Sequence, residues 1–235
     1  MIAATAELLR AHPWRWSLAI AVAMALLPGL DLAVAGWFYT PGVGFAARHN
    51  ELGEFVRKGL PHLLIGSVIY VIVLWLPGEA MGRRFLGVDR RIAAYLGLSL
   101  ALGPGLIVNT ILKDNWGRAR PSQIVEFGGE MRYTPPLLPA DQCVDNCSFV
   151  SGHGALGFWV IAYALLAPAP WRPAAIAGAL AFGAVIGLVR IAQGGHFLSD
   201  VLFSALITIG VTMLLHRWLI RARHQGVDDG CMPRL

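Results

Sequence analysis

What most constrains this chain is a series of apolar runs, each long enough to cross a bilayer, separated by polar stretches rich in arginine. A spanning helix needs about 20 predominantly apolar residues. Within hydrocarbon every backbone N–H and C=O must be paired inside the segment, so such a run folds as a helix. Six runs fit: about Trp16 to Phe38, Leu60 to Leu76, Ile92 to Leu112, His153 to Ala167, the stretch from Pro173 to about Ile191, and Phe197 to Ile220. With 56% apolar and only 14% charged residues, an ordinary soluble domain is excluded. The expected fold is all-α, a single polytopic membrane domain of six spans covering residues 1–235.

The arginines orient it. Arg10 and Arg15 precede the first run, Arg83, Arg84, Arg90 and Arg91 follow the second, Arg172 follows the fourth, and Arg217, Arg221 and Arg223 end the sixth. Six crossings place all of these on one side together with both termini, and the positive-inside rule makes that side the cytoplasm. Trp37, Trp75, Trp116, Trp171 and Trp218 fall near run ends, as an interfacial belt requires. The net charge of +5 is explained this way, so no nucleic-acid partner is expected. Ala33-Val34-Ala35 resembles a signal-peptidase site, which leaves cleavage there as an alternative. The length of the run and Asp31 within it favour a retained span, with the carboxylate facing the bundle or lying at the interface rather than acting in catalysis. Between the first two runs, Leu52, Phe55 and Val56 have the spacing of a short amphipathic helix on the membrane surface, with a solvated loop as the alternative. Pro61 and Pro77 bound the second span, Gly103-Pro104-Gly105 predicts a kink in the third, and Gly183 and Gly187 permit close helix contact in the fifth.

Three polar clusters then share the outer face. In the first, Lys113 and Arg120 project from one side if the third span continues outward, with Pro121 ending it. Both lie where the orientation rule predicts few basic residues, which counts against simple snorkelling. In the second, Ser151 and Gly152 at a helix start offer a hydroxyl and exposed N–H groups to an anion, and His153 can donate a proton to a leaving oxygen. The plainer alternative there is an N-cap serine beside an interfacial histidine. The third runs from Arg190 through Gly194-Gly195 to His196 and Asp200. If helical from the glycines, it sets the imidazole and the carboxylate on one face; an Arg–Asp pair capping two helices is the alternative. His153, His196 and Asp200 have the composition of a metal site, but Lys113, Arg120 and Arg190 would repel a cation. The same charges suit a phosphoryl group. The expected chemistry needs no metal and no cofactor: His196 attacks phosphorus, Asp200 fixes its tautomer, and His153 protonates the departing alkoxide.

Lys113-x6-Arg120-Pro121, Val150-Ser151-Gly152-His153 and Val189-Arg190-x5-His196-x3-Asp200 resemble the three motifs of the type 2 phosphatidic acid phosphatase superfamily of integral-membrane lipid phosphatases. The resemblance implies a phosphohistidine at His196, Asp200 as its partner and His153 as general acid. It also implies phosphate contacts from Lys113, Arg120, Ser151, Gly152 and Arg190. Val150 and Val189 stand where the family has proline and serine, which removes turn rigidity and one hydroxyl but no charged or proton-transferring group. Residues 127–153 also resemble bacterial lipid A 1-phosphatases. That raises lipid A or another envelope lipid phosphate in the inner membrane as substrate, with undecaprenyl pyrophosphate, phosphatidylglycerol phosphate and phosphatidate still open. Phosphotransfer to a second lipid remains an enzymatic alternative. An anionic-lipid transporter is the non-enzymatic one, against which the spans show no internal repeat. Cys143 and Cys147 lie in the outer loop, where an oxidising compartment permits a disulfide; two free thiols are the alternative. Cys231 falls in the cytoplasmic tail. Oligomeric state is open.

Overall fold

The computed structural model describes residues 13–221; Arg10, Arg223 and Cys231 lie outside them. The first apolar run is not one straight helix. It divides into α1 (Pro13–Leu26) and α2 (Gly29–Gly36), bent by 85° where they meet. Pro28 stands at the break: it has no N–H for the carbonyl four residues back, and its ring crowds that carbonyl. A small hairpin follows, β1 (Tyr39–Thr40) against β2 (Gly44–Phe45), paired Tyr39 to Phe45.

The amphipathic stretch is not a separate surface helix. α3 (Glu51–Glu54) passes through a π turn (Phe55–Gly59) directly into α4 (Leu60–Ala80), so the second span starts before Pro61 and continues past Pro77. Pro61 cannot donate to the carbonyl of Arg57, four residues back. That carbonyl instead accepts from His153 Nε2 at 2.9 Å. The break in helical pairing thus becomes a link to the site.

α5 (Arg90–Leu100) begins under an Asp89 cap, whose Oδ1 accepts from the backbone N–H groups of Arg91 and Ile92 at 3.0 and 3.1 Å. From Ala101 to Lys113 it widens to π pitch around Pro104. Here the chain satisfies itself: Asn109 Nδ2 donates to the Pro104 carbonyl at 2.7 Å. The helix stops at Lys113, since Asn115 Nδ2 donates to the carbonyls of Thr110 and Ile111 at 3.1 and 2.8 Å. At Gly117 (φ 68°) the chain then turns away.

α6 (Gly152–Trp159) and α7 (Ile161–Leu166) form the next apolar segment, and a short loop leads to α8 (Arg172–Ala192). α9 (Leu198–His216) and its π extension (Arg217–Arg221) end the described chain. The predicted small-residue contacts are present. A side chain at Gly183 would collide with the Phe158 ring, one at Gly187 with Val201, and Gly157 lies against Gly183.

Among the described residues, four helices are long and apolar enough to cross a membrane, 55–80, 90–113, 172–192 and 198–221, or five if the bent α1–α2 pair is one span. Gly152–Leu166 is apolar but shorter. On α4 the side chains of Leu63, Ile65, Ile69, Val73 and Leu76 all face outward, an apolar face too large for water and suited to hydrocarbon. The chain is a multi-pass membrane protein.

Candidate active site

The turn between α8 and α9 sets up the site. Gly194 takes the left-handed conformation (φ 64°) against the Phe45 ring, which favours glycine, and a Cβ on Gly195 would lie 2.6 Å from the Arg190 guanidinium and displace it. His196 precedes α9 rather than riding on it. The helix begins at Leu198, and Asp200 Oδ2 caps it by accepting from the Phe197 N–H at 2.8 Å. The expected helical i,i+4 pairing is therefore absent, yet the two residues stay close, with Nδ1 of His196 3.8 Å from Asp200 Oδ2. That is beyond hydrogen-bond range.

Nδ1 donates instead to the Ser148 carbonyl at 2.7 Å. A carbonyl can only accept, so Nδ1 carries the hydrogen and Nε2 keeps its lone pair. The tautomer expected from Asp200 is fixed by a backbone oxygen from another segment. Burial, reinforced by the charges of Lys113 and Arg190, pushes the imidazole down to about 3 against the pull of Asp200. It is neutral at working pH.

Asp200 is held by residues the sequence reading passed over. Its Oδ1 accepts from Arg118 Nη1 at 2.6 Å and its Oδ2 from Ser148 Oγ at 2.5 Å. Arg118 is wholly buried and also pairs with Asp31 Oδ2 through Nη2 at 2.8 Å. Asp31 in turn accepts from the Ser199 N–H at 2.8 Å and from its hydroxyl at 2.5 Å. The guanidinium lies 4.3 Å over the Phe197 ring. Burial disfavours its charge, but Asp200 and Asp31 outweigh that and raise it above the ordinary value. Two signals pointed here: Asp31 is a lone carboxylate in an apolar run, and Arg118 is the other arginine of G-R-A-R-P.

Lys113 and Arg190 are also buried. Arg190 Nη1 donates to Gln193 Oε1, while its Nε is buried with no protein partner. Arg120 lies in the loop, not on a helix, with an extended backbone. Its Nη2 donates to the Asn146 carbonyl at 2.6 Å, and burial, opposed by Asp200 and aided less by the like charge of Arg48, lowers its affinity for its proton. Ser151 is the N-cap of α6, its Oγ accepting from Gly154 N–H at 3.1 Å, and its own N–H donates to the Asp200 carbonyl at 3.1 Å. A side chain at Gly152 would strike Asn109. Cys143 and Cys147 are joined in a disulfide with Cα atoms 5.6 Å apart. Among the described residues, no three His, Cys, Asp or Glu side chains are grouped to hold a metal ion.

Two cavities reach this cluster. One of about 620 Å³ is lined by Arg120, Arg190, Gln193 and the 194–195 turn. The other, about 430 Å³, is walled by apolar residues such as Ile65, Leu100, Pro104 and Leu156, and has Lys113 and His153 among its lining.

A buried neutral histidine with one free ring nitrogen, under the charges of Lys113 and Arg190 in a multi-pass helical bundle, is an arrangement that can receive an anionic group. The chain belongs to the PAP2 superfamily, which it matches over residues 92–224. It is similar to a lipid A 4'-phosphatase of Francisella tularensis subsp. novicida, 34% identical over 205 residues covering 84% of this chain and 87% of that protein. It is also similar to lipid A 4'-phosphatases of Rhizobium leguminosarum, at 29% identity over 90% of this chain and 96% of the relative, and of Rhizobium etli, at 30% over 90% and 87%. No solved structure matches. The chain is a lipid phosphatase.

Proposed function

We propose that the protein hydrolyses the 4'-phosphate of a lipid A-type glycolipid through a phosphohistidine on His196. The observation that carries this is the Ser148 carbonyl on Nδ1, which leaves Nε2 as an unprotonated nucleophile beside the charges of Lys113 and Arg190. In the first step Nε2 forms the N–P bond, the P–O bond to the sugar breaks, and His153, entering as the imidazolium with its Nε2–H kept on the Arg57 carbonyl, gives its Nδ1 proton to the leaving oxygen and becomes neutral. Lys113, Arg120 and the unpartnered Nε of Arg190 meet the phosphoryl oxygens, where charge compensation counts most. Asp200, 3.8 Å from the ring, offsets the positive charge that His196 gains. In the second step His153 takes a proton from water, whose oxygen attacks phosphorus and releases phosphate and neutral His196.

The choice of the 4'-position rests on the names of the relatives, in place of the 1-position raised by the sequence reading. The motifs act on phosphorus and carry no information about which sugar carbon bears it. The apolar cavity beside Lys113 and His153 favours a substrate with a hydrocarbon tail. For topology we infer six crossings, adding the bent α1–α2 pair and the Gly152–Leu166 segment, with both termini cytoplasmic and the site opening to the periplasm.

The test is phosphate release from lipid A, its 1- and 4'-monophosphates, undecaprenyl pyrophosphate and phosphatidylglycerol phosphate, with chelator present. Release from the 4'-position by wild type and none by His196→Ala is the expected result. Comparable turnover by His196→Ala would remove the phosphohistidine, and release only from the 1-position would remove the regiochemistry.

A further inference from the structure

The larger cavity carries more positive charge than one reacting phosphate requires. Its outer wall includes Arg48 and Arg57, and Glu54 is the single carboxylate lining it. Both oxygens of Glu54 are committed: Arg57 donates to them at 2.8 and 2.7 Å, and Lys58 Nζ lies 2.9 Å away. Those bonds bring the Glu54 carboxyl down to about 2, so it stays charged and keeps Arg57 clasped against the wall. Arg48 has no carboxylate within ion-pair range among the described residues, and its charge reaches Arg120. Unpartnered like charges around one cavity cost free energy that an anion relieves. A phosphate monoester brings a charge of about −1.5 to −2, which Lys113, Arg120 and Arg190 already match. Arg48 is left over.

The wall is also tied to the reacting centre. Gly53 packs so closely on Gln193 that a Cβ there would collide with its amide, and Gln193 is the residue to which Arg190 donates. The cavity, at about 620 Å³, has the volume of a head-group pocket.

We propose that Arg48, with Arg57 held beside it by Glu54, forms a second anion subsite that takes another phosphate of the same lipid head group while the first sits against His196. This rests on the phosphatase reading above and adds a preference for bisphosphorylated head groups.

Two disaccharide lipids test it, identical in acyl chains and reacting phosphate, one carrying a second phosphate and one lacking it. With the full chain in mixed micelles, KM for the bisphosphate should be about tenfold lower, the weight of one charge-assisted contact at a wet rim, with kcat unchanged. Arg48→Gln should raise KM for the bisphosphate alone, and Arg48→Lys should retain part of the preference. Equal KM values in wild type overturn the subsite, as does a preference that survives Arg48→Gln or a loss that falls equally on both lipids. Affinity of the two lipids for the His196→Ala protein, read by tryptophan fluorescence, judges the same ratio without turnover. Were neither lipid hydrolysed by wild type, the phosphatase reading would fall, and this ratio would still decide the subsite.

Discussion

His196 draws its readiness from its surroundings rather than from its own chemistry. An exposed imidazole titrates near 6.5; burial holds this one to about 3. The kcat/KM profile should therefore show no loss attributable to His196 between pH 8 and pH 5. The same depression fixes a sign for stability. Its contribution is complete above about 6.5, where folded and unfolded imidazoles are both neutral, and is lost as pH falls from there through about 3, because only the unfolded chain takes up the proton. Melting temperatures in detergent from pH 8 to pH 4 should fall more steeply for wild type than for His196→Gln. On the proposed mechanism, His153→Ala should lower kcat by about 10²–10⁴-fold with little change in melting temperature, measured on a 4'-phosphorylated lipid.

Between elements, one buried network joins the first apolar run to the turn that carries His196. Asp31 on α2, Arg118 in the loop after α5 and Asp200 on α9 form a chain of ion pairs at 2.6–2.8 Å with almost no exposure. Removing one member leaves the others buried and uncompensated, which costs about 3–5 kcal/mol. Arg118→Met and Asp31→Asn should each lower the melting temperature clearly. Their double variant should fall short of the sum, and thermal unfolding of the three proteins measures it. Helix contact is equally sensitive. Gly187→Val puts a branched side chain onto Val201, and overpacking of this kind costs about 1–3 kcal/mol; the same melts check it.

Across the whole molecule, orientation is the open quantity that labelling can read. Val144 is 95% exposed in the loop that carries the disulfide, and Arg84 lies in the loop at the other end of α4. In right-side-out vesicles, Val144→Cys should react with a membrane-impermeant maleimide and Arg84→Cys should react only after permeabilisation. The reverse pattern would place the site in the cytoplasm.

The apolar runs made a helical membrane protein legible, because hydrocarbon leaves the backbone no other way to pair over such lengths. The cations Lys113, Arg120 and Arg190, converging with His153, His196 and Asp200, pointed to phosphoryl chemistry, because fixed positive charges repel a metal ion and suit an anionic group. What periodicity could not supply was the path between them. Asn115 and Gly117 end the helix that Arg120 was expected to extend. Pro28 folds the first run so that Asp31 reaches Arg118, 87 positions away in sequence. The proton on His196 is placed by a carbonyl 48 residues upstream. Such long-range contacts carry no local signature, since any backbone oxygen can accept and only the packed bundle selects which one does. Residue type bounded the chemistry available to this chain; tertiary structure decided which nitrogen of His196 keeps its lone pair.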